Sequence, residues 1–467
     1  MRHKHVCIEL NIYYQINHQI MAHNSTKHVA VLAFPFATHA HLLFKLVNEV
    51  SKASPHATFS FFSTAQSNSA IFKDSQASDS IKPCNIEDGI SKDFVFSGSP
   101  IEAVERFLQK TPQNFESSME KAVKESGKAF SCLITDAFLW FGADMARDLQ
   151  IPWVAVWTSG PRSVFIHLQT ELIREKLGIH GNFQLDKKLD FLPGFESLPA
   201  THIPEDVIAK DLTTPFASML HKMGLNLPKA TAVCINSFEE IDSIPINQLK
   251  STLQDLLTIG LPLLTLPPKK HCDPQGCLEW LDKQKQDSVV YISFGSMIMP
   301  PPHELTALAE ALEYGGFHFI WSFKGNPSEK LPKEFLDRTK EKGIVVSWAP
   351  QLQVLQHHSI SAFISHGGWN SVVESIIGSV PLICRPFFGD HHLNSWTVEA
   401  VWGIGLEIEG GKITKDGTMK ALQVVQGSEK GQKMKHKVVH LNKLVVDAVS
   451  SQGSSTLNFE KLIKIVT

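Results

Sequence analysis

Short, wholly apolar runs recur along this chain, each followed by a turn and then a stretch with helical spacing. That rhythm narrows the fold more than any other feature. HVAVLAF (28–34) is such a run, and Leu42, Leu43, Leu46 and Val47 recur with helical spacing just after it. TFSFF (58–62), SCLITDAF (131–138), WVAVW (153–157) and TAVCINSF (231–238) read as further strands, with helical segments near 102–126 and 164–176. Strands apolar on both faces and alternating with helices predict a parallel sheet covered on both sides. Pro245, Pro262, Pro267, Pro268 and Pro274 then punctuate 243–275, which reads as linker chemistry. The alternation restarts with SVVYISF (288–294) and a helix at 303–313, and HFIWSF, GIVVSW, SAFISH and PLICRP supply four more strands. From about 415 the pattern is mainly helical. The expectation is an α/β chain of two Rossmann-like, doubly wound parallel-sheet domains facing each other across a cleft, with ligands at the carboxyl ends of the strands.

The 467 residues exceed one ordinary core, which agrees with two domains. The expected division is an extension at 1–20, an N-terminal domain at 21–250, a linker at 251–275, a C-terminal domain at 276–440, and a helical tail at 441–467 packing back toward the N-terminal domain. Glu9, Asn11, Gln15 and Asn17 interrupt any signal-peptide core, and Met21 stands just before the first clean strand. No apolar window reaches membrane-span length. A net charge of −3 without a basic stripe argues against a nucleic-acid surface. Seven cysteines with no CxxC pair fit free thiols in a reducing, cytoplasmic setting.

The densest chemistry lies in 343–392. There a strand, SAFIS, runs into His366-Gly367-Gly368-Trp369-Asn370-Ser371 and a helix. The glycines let backbone approach a ligand, Asn370 and Ser371 offer donors, and the helix start carries partial positive charge. The combination suits a diphosphate. Taken alone, the turn reads equally well as an ordinary helix cap. It is neither GxGxxG nor a P-loop.

Its surroundings decide between the two. Trp348-Ala349-Pro350-Gln351, His366, Gly368 to Ser371, Glu374, Pro381 and Asp390 fall within the 44 positions from Trp348 to His391. This resembles the signature box of the plant UDP-sugar-dependent secondary-product glycosyltransferases (glycosyltransferase family 1). The resemblance runs from about residue 27 to the end. It leans toward flavonoid and anthocyanidin 3-O-glycosyltransferases through AFPFATHA (33–40), SCLITDAFLWFGADMA (131–146), PKATAVCINSFEE (228–240) and RPFFGD (385–390). It implies a GT-B fold and inverting transfer of a hexose from a UDP-sugar to the 3-hydroxyl of a flavonol or anthocyanidin. It also implies roles. Trp348 would stack on uracil, the Ala349 backbone would read its edge, and Gln351 and Glu374 would hold the ribose. His366, Asn370, Ser371 and Ser296 would hold the diphosphate, and Trp369, Asp390 and His391 would face the sugar. Thr38 and Thr158 would complete the donor contacts, and Phe34, Phe138, His167 and Phe388 would wall the acceptor.

His39 follows the first strand, and Asp136 ends SCLITD; both stand at carboxyl ends of strands. Alone, His39 reads as a cap or a surface residue. The resemblance makes it the catalytic base and Asp136 its supporting acid, a carboxylate that orients the imidazole and stabilises its protonated form. The chain has no DxD sequence, and His357-His358 and His391-His392 are adjacent pairs rather than i, i+4 pairs on one helix face. No metal and no cofactor are therefore expected; the UDP-sugar is a co-substrate, and the chain acts as a monomer.

Departures from the family pattern bear on specificity. The box ends Asp390-His391 where the family ends Asp-Gln, and some galactose-using relatives carry His there, so UDP-galactose is favoured with UDP-glucose close behind. Gly367 replaces a usual Cys and Ala37 a usual Gly or Ser. Ile101 and Pro204 fall near positions where relatives grip acceptor hydroxyls with glutamines. Another phenolic acceptor and a catalytically silent UDP-sugar binder are the alternatives. An oxidoreductase is disfavoured because the turn after the first strand reads FPFATHA.

Overall fold

Seven parallel strands form the first sheet of the computed structural model, which describes residues 27–73, 77–90, 100–179, 187–260, 273–295 and 297–467. They are β1 (Lys27–Leu32), β2 (Ala57–Thr64), β3 (Ile81–Ile86), β4 (Cys132–Asp136), β5 (Trp153–Trp157), β6 (Ala232–Ile235) and β7 (Leu256–Thr258), in the order β3-β2-β1-β4-β5-β6-β7. Every pairing is parallel, and β1 meets β4 with Leu32 opposite Thr135. The order reverses between β1 and β4. Loops leave in opposite directions there, so a crevice opens at the strands' carboxyl ends.

Helix α1 (His39–Ala53) buries Leu43, Leu46, Val47 and Val50 against this sheet. The expected helical segment at 102–126 is two helices, α2 (Pro100–Lys110) and α3 (Gln113–Ser126). Pro112 lies between them; its ring and missing N–H cannot continue the ladder. Likewise 164–176 is divided at Gln169 into α4 (Pro161–Leu168) and α5 (Thr170–Leu177).

The proline-rich reading of 243–275 needs correction over its first part. Ser243–Thr252 is a helix, α6, and β7 follows it. Pro245 lies in the first turn of α6, where a missing N–H costs nothing. The first unit therefore continues past residue 251. It comprises the described residues of Met1–Ser197, Glu205–Pro267 and Asp447–Thr467, and the second unit those of Leu198–Pro204 and Pro268–Val446. The expected extension 1–20, Met21 and Ser296 lie outside the described residues, as does 261–272 of the expected linker.

The second sheet holds β8 (Val289–Ser293), β9 (His318–Ser322), β10 (Gly343–Val346), β11 (Ile360–Ser365), β12 (Leu382–Cys384) and β13 (Gly405–Glu407), ordered β10-β9-β8-β11-β12-β13 and parallel throughout. Its reversal falls between β8 and β11. Helix α7 (Pro302–Gly315) buries Leu305, Leu308 and Leu312 in this core. Helix α8 (Trp369–Gly378) follows β11 and α9 (His391–Trp396) follows β12. The helical tail is α10 (Lys415–Gly427), α11 (Glu429–Ala448) and α12 (Ser454–Val466). The last of these buries Phe459, Leu462, Ile463 and Val466 in the core of the first unit.

Strands β3, β7 and β13 escape the sequence pattern, and all three are edge strands. Lys82 and Pro83 break the apolar run of β3, and an edge tolerates proline. The other two are three residues long, too short to show a period. Among the described residues no helix is long and apolar enough to cross a membrane, and the five described cysteines are free.

Candidate active site

The first unit's group of side chains is built on the two strands that flank its reversal point. The chain leaves β1, passes Ala37 at a φ of +52°, and places His39 as the opening residue of α1. Left-handed backbone at a residue with a Cβ is a strained conformation. Asp136, the last residue of β4, is almost fully buried; its Oδ2 accepts from His39 Nδ1 at 2.8 Å. Its other oxygen accepts the Phe138 N–H at 3.0 Å. The carboxylate is thus fixed before it fixes the imidazole. Because a carboxylate accepts, Nδ1 carries the proton and Nε2 of the neutral ring is the basic nitrogen. The Thr158 hydroxyl, just beyond β5, lies 3.4 Å from the same Nδ1. Thr38 is exposed at the N-cap of α1, and its side chain makes no capping bond.

Aromatic rings surround this pair. Phe34 meets His39 edge-on at 5.3 Å between centroids, and Phe138 lies 4.5 Å from it. Phe36 and Phe107 pack on Phe34, and Trp157 and Phe216 on Phe138. His167 is buried against Trp157 at 5.9 Å. Phe34, Phe138 and His167 therefore belong to one aromatic assembly with His39. Phe388 belongs to the second unit, half exposed beside His391 at 4.9 Å. Phe36, Phe107, Trp157 and Phe216 were not singled out from the sequence, because single phenylalanines and tryptophans in apolar runs look like any core residue.

The second unit's group is built on the segment following β11. Helix α8 opens at Trp369 with Val372 N–H bonded to Gly368 O at 3.1 Å, so the positive end of the helix coincides with the Gly367-Gly368 turn. Gly367 has a φ of +78°, which glycine adopts without cost. The Asn394 side-chain amide donates to its carbonyl at 3.0 Å, tying the turn to α9. His366 needs glycine around it. A Cβ at Gly295 would come 2.9 Å from its ring and one at Gly368 2.3 Å. His366 and His391 stand perpendicular at 4.8 Å, and the buried Nδ1 of each finds no partner among the described residues. Burial, then the charge of His391, pushes the His366 imidazole down to about 3. Burial, then His392, pushes His391 down to about 4. Both rings are neutral at neutral pH.

Trp348 is 49% exposed, a flat face open for stacking, and the next residue, Ala349, is buried. Gln351 Nε2 donates to Glu374 Oε2 at 2.5 Å and to Ser371 Oγ at 3.2 Å. The Tyr291 hydroxyl donates to Gln351 Oε1 at 3.2 Å. Gln351, Ser371 and Glu374 are thus brought together as one polar network. Gln275, which sequence reasoning missed, holds the Ser347 hydroxyl at 2.7 Å and accepts the Trp348 N–H at 3.4 Å. Trp369 is buried, with its ring 6.2 Å from that of Trp402. Asn370 is the second residue of α8, and Asp390 is the N-cap of α9.

Two doubly wound parallel sheets, one carrying a carboxylate-held imidazole and the other a glycine turn at a helix start, are the architecture of the GT-B class of glycosyltransferases. The chain belongs to the UDP-glucoronosyl and UDP-glucosyl transferase family, whose profile matches residues 30–448. It is 50% identical over 445 residues to a flavonoid 3-O-glucosyltransferase of Medicago truncatula, covering 95% of this chain and 98% of that one. It is 45% identical over 447 residues to an anthocyanidin 3-O-galactosyltransferase of Actinidia chinensis var. chinensis, with coverage of 95% and 98%. Its fold matches that of a UDP-glucose:anthocyanidin 3-O-glucosyltransferase solved with UDP, at a TM-score of 0.90 and 36% identity over 95% of this chain and 99% of that one.

Proposed function

We propose that this glycosyltransferase moves a hexose from a UDP-sugar to the 3-hydroxyl of a flavonol or anthocyanidin, with inversion to a β-glycoside. The observation that carries the reading is the His39–Asp136 pair at 2.8 Å within a wall of phenyl rings. His39 Nε2 takes the proton of the acceptor hydroxyl as that oxygen attacks the anomeric carbon. The anomeric C–O bond to UDP breaks on the opposite face. Asp136 keeps the tautomer and stabilises the imidazolium, and general-base help of this kind contributes roughly 10²–10⁴ in rate. Phe34 and Phe138 offer edges and faces to a flat acceptor.

In the second unit, Trp348 stacks on uracil, the Ala349 backbone reads its edge, and the Gln351–Glu374 pair holds the ribose. His366, Asn370 and Ser371, with the positive end of α8, take the diphosphate, whose negative charge grows as it leaves. Neutral His366 acts there as a hydrogen-bonding group. The reaction in this reading needs no metal.

The choice of donor in this reading rests on His391. A buried, neutral ring with an unpartnered Nδ1 stands where the family's glutamine contacts sugar hydroxyls. UDP-galactose is the proposed donor; the predominance of glucosyltransferases among the chain's relatives favours UDP-glucose as the second reading. The test is incubation with each UDP-sugar, and with both in competition, against a flavonol and anthocyanidin panel, with product mass and linkage position determined. No 3-O-hexoside from either donor would overturn the proposal.

A further inference from the structure

A second cluster of ligating side chains lies in the second unit, on residues that the proposed chemistry does not use. His202 ends a single 3-10 turn (Ala200–His202), His392 sits in the first turn of α9, and Glu407 ends β13. One ring nitrogen from each histidine and one carboxylate oxygen all lie within 4.8 Å of one another. His202 Nε2 and Glu407 Oε2 are 3.5 Å apart, and the two imidazoles meet edge to face at 5.8 Å. A tetrahedral zinc ion with bonds of about 2.0–2.1 Å spaces its ligand atoms about 3.3 Å apart. One pair already has that spacing, and the other pairs close by rotation of half-buried side chains.

Two supports hold the cluster in a receptive state. The Thr201 hydroxyl lies 3.1 Å from His202 Nδ1; without an ion the His202 Nε2 proton faces the Glu407 carboxylate, and an ion taking Nε2 would leave the ring's proton on Nδ1, where Thr201 can accept it. Fixing a histidine through its distal nitrogen is how metal-binding imidazoles are oriented. The backbone of Glu407 is pinned as well: its N–H donates to Glu399 Oε2 at 2.8 Å, and β13 pairs it with Cys384. A simple ion pair would require one histidine, whereas this carboxylate has two.

We propose that His202, His392 and Glu407 form a binding site for one borderline divalent cation of the zinc class, with water completing its shell. Two imidazoles and a carboxylate are the donor set such ions take. The ion would clamp the 3-10 turn to α9 and β13. Its role is structural or regulatory; the transfer step does not involve it.

The test uses the full chain, stripped with a chelator and titrated with Co²⁺ under visible spectroscopy and with Zn²⁺ in a calorimeter. One equivalent should bind, with the absorption of a low-coordinate cobalt site. His202→Gln, His392→Gln and Glu407→Gln should each weaken binding roughly tenfold or more, and Thr201→Val about tenfold. A His357→Ala/His358→Ala double variant should bind as the native chain does. Should a ligand variant fail to fold, the native chain still decides: Zn²⁺ should protect His202 and His392 from carbethoxylation mapped by mass spectrometry. No stoichiometric binding, unaltered affinity in the three ligand variants, or no protection of those two histidines would each overturn the proposal.

Discussion

In the proposed reaction His39 acts as a base through Nε2 only while the ring's proton stays on Nδ1, and the buried, twice-bonded Asp136 carboxylate keeps it there by accepting its hydrogen bond. His39→Ala should reduce transfer by roughly 10²–10⁴ while UDP binding, measured by calorimetry, is unchanged. Near-native turnover would remove His39 from the chemistry. Asp136→Asn keeps the shape but no longer enforces the tautomer. It should lower kcat at least about a hundredfold with little change in KM for the UDP-sugar. His366 and His391 differ from His39 in being kept neutral by burial. Both have folded values far below the ordinary 6.5, so the unfolded chain binds more protons as pH falls from about 6.5 toward 4. Their contribution to stability is therefore present above that window and lost on acidification. The unfolding temperature should drop across it, and less steeply in His391→Gln. The same variant should shift competition toward UDP-glucose. Individual side chains were legible here only in combination. The spacing from Trp348 to His391 singled out the box, but nothing in the sequence marks Tyr291 or Gln275 as partners of that box. Their contacts depend on a strand and a loop far from it in sequence.

The strand–turn–helix unit at 360–378 shows why glycine stands where it does. Gly368 leaves room for the His366 ring, and an added methyl would stand 2.3 Å from its Nε2. Gly368→Ala should force that ring from its place, weaken UDP binding about tenfold or more, and cost about 1–3 kcal/mol in stability. Thermal unfolding and calorimetry read the two effects separately. Strands with a continuous apolar run, such as Val29–Leu32 of β1 and the whole of β5, announced themselves, because burial on both faces favours such a run. Edge strands did not. β3 carries Lys82 and Pro83, and β13 is short, yet β13 ends at Glu407 of the proposed cation site. The ligands of that site come from a 3-10 turn, a helix and an edge strand separated by long stretches of chain, so no local spacing could reveal them. Proline density misled the reading at 243–252, since a proline in a helix's first turn leaves the same trace as a linker.

Across the molecule, the two compact units do not follow the order of the chain. Helix α12 lies beyond the whole second unit in sequence, yet its Phe459, Leu462, Ile463 and Val466 sit in the first unit's core. Asn458 adds bonds from its amide to the carbonyl and hydroxyl of Thr258 on β7, at 3.2 and 3.0 Å. Removing the residues after Gly453 strips four apolar side chains from that core, each worth about 1.5–3 kcal/mol. The truncated chain should lose the first unit's cooperative unfolding transition and keep the second unit's ability to bind UDP. Denaturation followed by tryptophan fluorescence, with and without UDP, separates the two. The same arrangement bears on biosynthesis. A nascent chain can finish its second unit before its first, since α12 leaves the ribosome after the whole second unit and the earlier core stays open until it arrives. During that interval the first unit's apolar surface is open to misassembly, and a bulky group fused directly after α12 should handicap the half of the enzyme made first.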